Sequence, residues 1–191
     1  MADERRLRAW LFAGALVVAV AGGWFAIGSG GGDDADPTGG LADPTVGTNA
    51  PIQGRLFPES LLTRASDGAS SDPLAGSGPT VVHFWFTTCP PCRREMPMFA
   101  RAAEDLAGQV RFVGINPLDD AEAAMAFHEQ FGVPFDTYLD TDGALVADLG
   151  VATMPVTLFV DADRRIVATH AGEIDWDTLL LRLGDLGVTP R

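Results

Sequence analysis

The chain has 191 residues, 47% of them apolar, enough for one ordinary domain with a real core plus additional segments. Its formal net charge is -13, from 26 acids against 13 bases, and every base is arginine. That surface repels phosphate backbones and argues against nucleic acid as a partner, while leaving membrane and protein partners open.

In chain order, the first signal is Arg5, Arg6 and Arg8, followed by an uncharged apolar run from Ala9 to Ile27. At about 1.5 Å per residue the run nearly crosses a hydrocarbon layer of about 30 Å. Asp33, Asp34 and Asp36 follow on the far side. This asymmetry predicts residues 1–8 in the cytoplasm, residues 9–27 as a single-pass signal-anchor in the cell membrane, and everything after it outside. Ala19-Val20-Ala21 offers the alternative of a cleaved signal peptide, although the apolar run continues through Trp24, Phe25 and Ile27. Either reading exports the rest of the chain. Residues 28–47 are rich in Gly, Asp, Pro and Thr, and are expected to form a flexible linker. The folded domain is expected over 48–191.

Within that domain, Leu61 and Leu62 before Asp67-Gly68 suggest a short strand and a turn. Thr80 to Phe86 is β-branched and aromatic, as in a buried strand. A helix should follow, with Met96, Phe99, Ala103 and Leu106 along one face. Arg111 to Asn116 reads as a strand, Ala121 to Phe131 as a helix, and Thr137 to Leu139 as a short strand. Val156 to Val160 is an apolar strand, Asp161 to Arg164 a turn, and Ile166 to His170 a return strand. Asp175 is placed to cap a last helix from Trp176 to about Leu186. This alternation predicts an α/β fold with a mixed sheet flanked by helices.

The chain has two cysteines, Cys89 and Cys92, and they stand where the strand ending near Phe86 gives way to a helix. A sulfur at a helix N-terminus faces unpaired N–H groups and the positive end of the dipole, which favour the thiolate. Pro90 and Pro91 suit a first turn, where a missing N–H costs little, and Arg93 and Arg94 add positive charge nearby. Cys89 is then the attacking thiolate and Cys92, one turn on and less exposed, the resolving one. Three other readings stand beside this one. A zinc half-site needs further ligands, and only the scattered His83, His128 and His170 are present. Haem attachment needs histidine directly after the second cysteine, where this chain has Arg93. An inert disulfide closing so small a loop would stabilise little. No metal and no cofactor is expected.

Val81-Val82-His83-Phe84-Trp85, followed by Cys89-Pro90-Pro91-Cys92-Arg93-Arg94-Glu95-Met96-Pro97, resembles the membrane-anchored, extracytoplasmic thioredoxin-like proteins of the TlpA-like group. That group includes the reductants of cytochrome c maturation. The resemblance covers about Leu61 to Leu186 and implies a thioredoxin fold. It implies a cis-proline at Met154-Pro155, facing the cysteines and leaving the Met154 backbone free to pair with a substrate peptide, with Trp85 also near the substrate. It implies a proton-tuning role for Glu95; the alternative is a solvated first-turn glutamate favourable to the dipole. Relatives usually carry Trp where this chain has Thr88. Where this chain has His83, cytosolic thioredoxins carry Asp and many anchored relatives Asn. A histidine beneath the cysteines can shuttle protons, or simply be hydrogen-bonded in the core.

The function implied is disulfide reduction in exported proteins, for example of apocytochrome c, with electrons from a membrane redox donor protein. The same chemistry run backward is a disulfide-forming oxidase. A peroxidase is disfavoured by Phe86, where peroxiredoxins place Thr. A non-catalytic module holding peptides or metal in a groove at Met154 and Pro155 is the reading from a different class.

Overall fold

The structure is a computed structural model and describes residues 49–76 and 78–189. The expected anchor at 9–27 and linker at 28–47 lie outside the described residues. Among the described residues no helix is long and apolar enough to cross a membrane.

Among the described residues seven strands and four helices follow one another. They are β1 (Leu62–Arg64), β2 (Ser70–Ser71), β3 (Thr80–Phe84), α1 (Pro90–Asp105), β4 (Arg111–Asn116), α2 (Ala121–Phe131), β5 (Thr137–Leu139), α3 (Ala144–Leu149), β6 (Val156–Val160), β7 (Ile166–Ala171) and α4 (Trp176–Asp185). One mixed sheet runs in the order β2-β1-β5-β4-β3-β6-β7. The parallel pairs β3–β4 and β4–β5 are joined through α1 and α2, as parallel neighbours require. The hairpin β6–β7 adds antiparallel strands on the other side of β3.

Every residue of β3 and β6 is buried, because both faces of the sheet are covered. On one face Val81, Trp85, Met96, Phe99, Phe159 and Leu179 form a layer beneath α1, α2 and α4. On the other, Val82, Phe84, Ile115, Leu158, Leu145 and Leu149 pack with Ile52 and Phe57. Gly114 of β4 is fixed by packing: a Cβ there would lie 2.2 Å from Thr137 Oγ1 and 2.7 Å from Trp85 Nε1.

Most expected elements are present within a residue or two of their expected bounds; β2, at Ser70–Ser71, was not expected, and three further features differ. The strand expected to reach Phe86 ends at Phe84. Trp85 N–H still bonds to Ile115 at 3.1 Å, but the Thr87 N–H turns to the Asp119 side chain and the chain leaves the sheet. In α1 it is Ala102, not Ala103, that is fully buried beside Met96 and Phe99. Finally, α3 lies in a stretch where the sequence suggested no element. Its six residues start from Gly143 at φ 68°, and Asp140 accepts the N–H groups of Leu145 and Val146 at 3.2 and 2.9 Å.

Candidate active site

The site is built where β3 hands over to α1. Cys89 is the N-cap of α1, and its Sγ accepts the Cys92 N–H at 3.3 Å. Pro90 and Pro91 fill the first helical positions, so Cys92 supplies the first N–H that can point at the sulfur. The two cysteines are joined as a disulfide with Cα atoms 5.3 Å apart. Cys92 is fully buried and Cys89 is 2% exposed, between the exposed Thr88 and Pro90. The first turn carries no acid to oppose a thiolate.

Opposite the disulfide stands the Met154–Pro155 bond, which is cis. The Met154 carbonyl oxygen lies 4.0 Å from Cys89 Sγ, which brings the helix terminus and the loop before β6 to one point. Beside it opens a groove of about 570 Å³ bordered by Phe86, Pro117, Leu118, Val146 and Met154.

The two arginines do not crowd the sulfurs. The Arg93 guanidinium lies over the rings of Phe127 and Phe131 at 5.4 and 5.2 Å and donates to the Thr87 carbonyl at 3.1 Å. Arg94 pairs with Glu173 on the surface. Trp85 departs from its expected place near a substrate. It is fully buried, tilted against Phe127 at 4.5 Å and stacked with His128 at 5.8 Å, and supports the site from below. Its large flat ring is better hidden than shown, and the half-buried Phe86 occupies the surface position instead.

Glu95 is not a solvated first-turn glutamate. It is 3% exposed, and its Oε2 accepts the Ile174 N–H at 2.8 Å. Burial pushes its carboxyl up to about 8, against the opposing pull of the Ile174 hydrogen bond. Its Oε1 lies 3.4 Å from Nε2 of His83, which is itself buried and held by burial at about 3. A neutral imidazole makes this a polar contact and not an ion pair.

Asn116 and Asp119 were not singled out in the sequence, yet they set the loop before Cys89. Asp119 accepts the Thr87 N–H at 2.6 Å, the Thr87 hydroxyl at 2.8 Å and the Asn116 side-chain amide at 2.7 Å. Asn116 Oδ1 in turn accepts the N–H groups of Leu118 and Asp119. The available signal was the pair Asp119-Asp120: only one can cap α2, and Asp120 does so through Ala123 N–H. Asp119→Ala leaves the Thr87 N–H unpaired and should cost about 2–3 kcal/mol, read by urea unfolding of the oxidised protein.

Among the described residues no group of His, Cys, Asp and Glu is arranged to hold a metal ion. The chain is similar to the thiol:disulfide interchange protein DsbE of Escherichia coli (strain K12), 34% identical over 106 residues, which is 55% of this chain and 56% of that protein. It is 30% identical to the thiol-disulfide oxidoreductase ResA of Bacillus subtilis (strain 168) over 100 residues, 52% of this chain and 55% of that one. The matched region thus spans about half the length of these curated relatives. A secreted Mycobacterium tuberculosis disulfide oxidoreductase homologous to E. coli DsbE superposes with a TM-score of 0.61 at 28% identity, covering 67% of this chain and 96% of that one. The Redoxin family matches residues 52–179, a stretch that holds all seven strands, both cysteines and the proline loop, and on that extent the chain belongs to the Redoxin family.

Proposed function

We propose that this chain is a thiol–disulfide oxidoreductase that exchanges the Cys89–Cys92 disulfide with protein thiols, running as a reductant of exported proteins. The observation that carries this is the placement of Cys89: a sulfur at a helix N-cap, beside the Met154 carbonyl, next to an open groove. The names of the relatives, interchange protein and oxidoreductase, support the same chemistry.

In the reducing direction the Cys89 thiolate attacks a substrate disulfide, forms a mixed disulfide and expels one substrate thiolate, which takes a proton. Cys92 then loses its proton and attacks Cys89 Sγ. The intramolecular disulfide closes and the second substrate thiolate leaves. Two electrons pass to the substrate, and a membrane redox donor protein returns them. The Met154 backbone and Phe86 would receive the peptide around the substrate cysteine. The reducing direction, apocytochrome c as a substrate, and a domain tethered outside the cell membrane by residues 9–27 rest on the resemblance and on the N-terminal charge pattern.

The test is the reduction potential of the Cys89–Cys92 pair, equilibrated against a reference thiol couple. A value near that of thioredoxin, about -270 mV, fits the reductant; a value near about -120 mV marks an oxidant and overturns the direction.

A further inference from the structure

His83 lies within β3, paired with Gly114 of β4 on one side and Thr157 of β6 on the other. Its ring stacks on Phe99 of α1 at 4.3 Å. Nδ1 lies 3.2 Å from Thr157 Oγ1, and Nε2 lies 3.4 Å from Glu95 Oε1. Among the described residues neither Nε2 nor Oε1 has a well-formed hydrogen bond to any partner, so each faces only the other. Thr157 is fully buried. Glu95 stands one helical turn beyond Cys92 in the same buried stripe of α1. The charged groups closest to the carboxyl are Arg94 on α1 and Glu173 on the segment before α4, both exposed and paired with each other. Gly114 contributes no side chain.

This row of three side chains can hold a proton in two complete ways. With the carboxyl protonated, its O–H donates to Nε2 and the imidazole donates Nδ1–H to the Thr157 oxygen. With the carboxyl ionised, Nε2–H donates to Oε1 and Nδ1 accepts from the Thr157 hydroxyl. A hydroxyl is both donor and acceptor, so the ring changes tautomer and no buried polar atom is stranded. Stranding one costs more than an ordinary hydrogen bond gains. An apolar residue at this position would leave the carboxylate without its donor, and an aspartate would set a second acid against it.

We propose that His83 is a positioning residue that lets the buried Glu95 carboxyl load and release a proton, with Thr157 as the far end of the chain. The inference rests on the exchange chemistry proposed for Cys89 and Cys92 and on the proton-tuning role that the resemblance implies for Glu95 in its second step; what it adds is the part played by His83 and Thr157. As Cys92 Sγ attacks the mixed disulfide, its S–H proton passes to the Glu95 carboxylate. The Cys89–Cys92 bond forms, the bond from Cys89 to the substrate breaks, and the leaving substrate thiolate takes a proton from solvent. His83 holds the carboxylate ready before the step and turns its ring to accept from the acid after it.

The test is a carbon-13 NMR titration of the Glu95 carboxyl in the oxidised full chain, for wild type, His83→Phe, His83→Asn and Thr157→Val. Phenylalanine keeps the stack on Phe99 and removes the donor, so the Glu95 midpoint should rise by about one pH unit or more, a tenfold gain in proton affinity. Thr157→Val strands an Nδ1–H donor when the carboxyl is protonated and only an Nδ1 lone pair when it is ionised; a buried orphan N–H costs more, so the midpoint should fall. Asparagine supplies both a donor and an acceptor and should restore a midpoint close to wild type. Midpoints that stay at the wild-type value in both His83→Phe and Thr157→Val overturn the proposal. If His83→Phe does not fold, the near-isosteric Thr157→Val decides alone. A second readout is the pH profile for resolution of the mixed disulfide, which His83→Phe should move to higher pH. The NMR titration needs no turnover, so a chain that fails to exchange disulfides but titrates as expected would sink the oxidoreductase reading and leave the His83–Glu95 pairing standing.

Discussion

Replacing Cys92 with alanine should give a protein that reacts once and stops. Its reduced Cys89 should capture a substrate disulfide and hold it as a mixed disulfide, visible as added mass in the intact protein. Replacing Cys89 with serine should instead abolish turnover of a protein disulfide by at least about a thousandfold, because a hydroxyl does not replace a thiolate toward sulfur. The asymmetry follows from burial and capping. Cys89 has the solvent-facing edge and the capping position, whereas Cys92 is fully buried one turn further in. Cys92 has no path to an external disulfide, but it stands beside Cys89 for the second step. A non-catalytic peptide-binding module would behave differently, since Cys89→Ser would keep its ligand. Equal trapping by Cys89→Ser and Cys92→Ala would refute the division of roles.

Much of this arrangement was legible in the sequence, for physical reasons that differ by element. β4 and α2 were readable because an apolar run and a 3.6-residue pattern persist over Arg111–Asn116 and Ala121–Phe131. The cysteines were readable because the strand before them and the helix after them fix their chemistry. The cis bond at Pro155 came only through resemblance, since an X–Pro sequence does not itself specify the isomer. α3 escaped because six residues are too few for a helical period to show, and its start depends on Asp140 caps reaching forward to Leu145 and Val146. The Thr87–Asp119–Asn116 network escaped because it joins two loops distant in sequence. Trp85 was misplaced because an aromatic residue near a redox loop reads equally as cover or as core, and only the rings of Phe127 and His128 decide it. His83 and Glu95 were each noticed separately. That one meets the other depends on the register of α1 over β3, which a single sequence does not display.

The buried acid also leaves a mark on stability that can be read without any substrate. Glu95 in the folded chain titrates near 8, above its ordinary value of 4.5. Between those values the folded state binds more protons than the unfolded state, so stability is full at low pH and falls as pH rises toward 8. His83 is displaced the other way, from 6.5 to about 3, and His128 from 6.5 to about 4. Both are neutral in the fold and favour protonation when unfolded, so their contribution is lost as pH falls below 6.5. The acid and the imidazoles therefore oppose one another from about 4.5 until the unfolded histidines have lost their protons, about one pH unit above 6.5. The disulfide keeps both cysteines from titrating. Glu95 alone lowers the unfolding free energy by roughly 2 kcal/mol between pH 6.5 and pH 8.5, the histidines return somewhat under half of that, and the oxidised protein in urea should then lose roughly 1 kcal/mol over the interval. Glu95→Gln carries no charge at any pH, still accepts from Ile174 through its carbonyl, and turns its amide N–H toward His83. Its stability should instead rise slightly across the same interval, as the unfolded histidines lose their protons, making it the more stable protein at pH 8.5 by about 2 kcal/mol if the two match at pH 6.5. Parallel curves for the two proteins would mean that the carboxyl is already ionised at neutral pH, and the proton assigned to it would have to reside elsewhere.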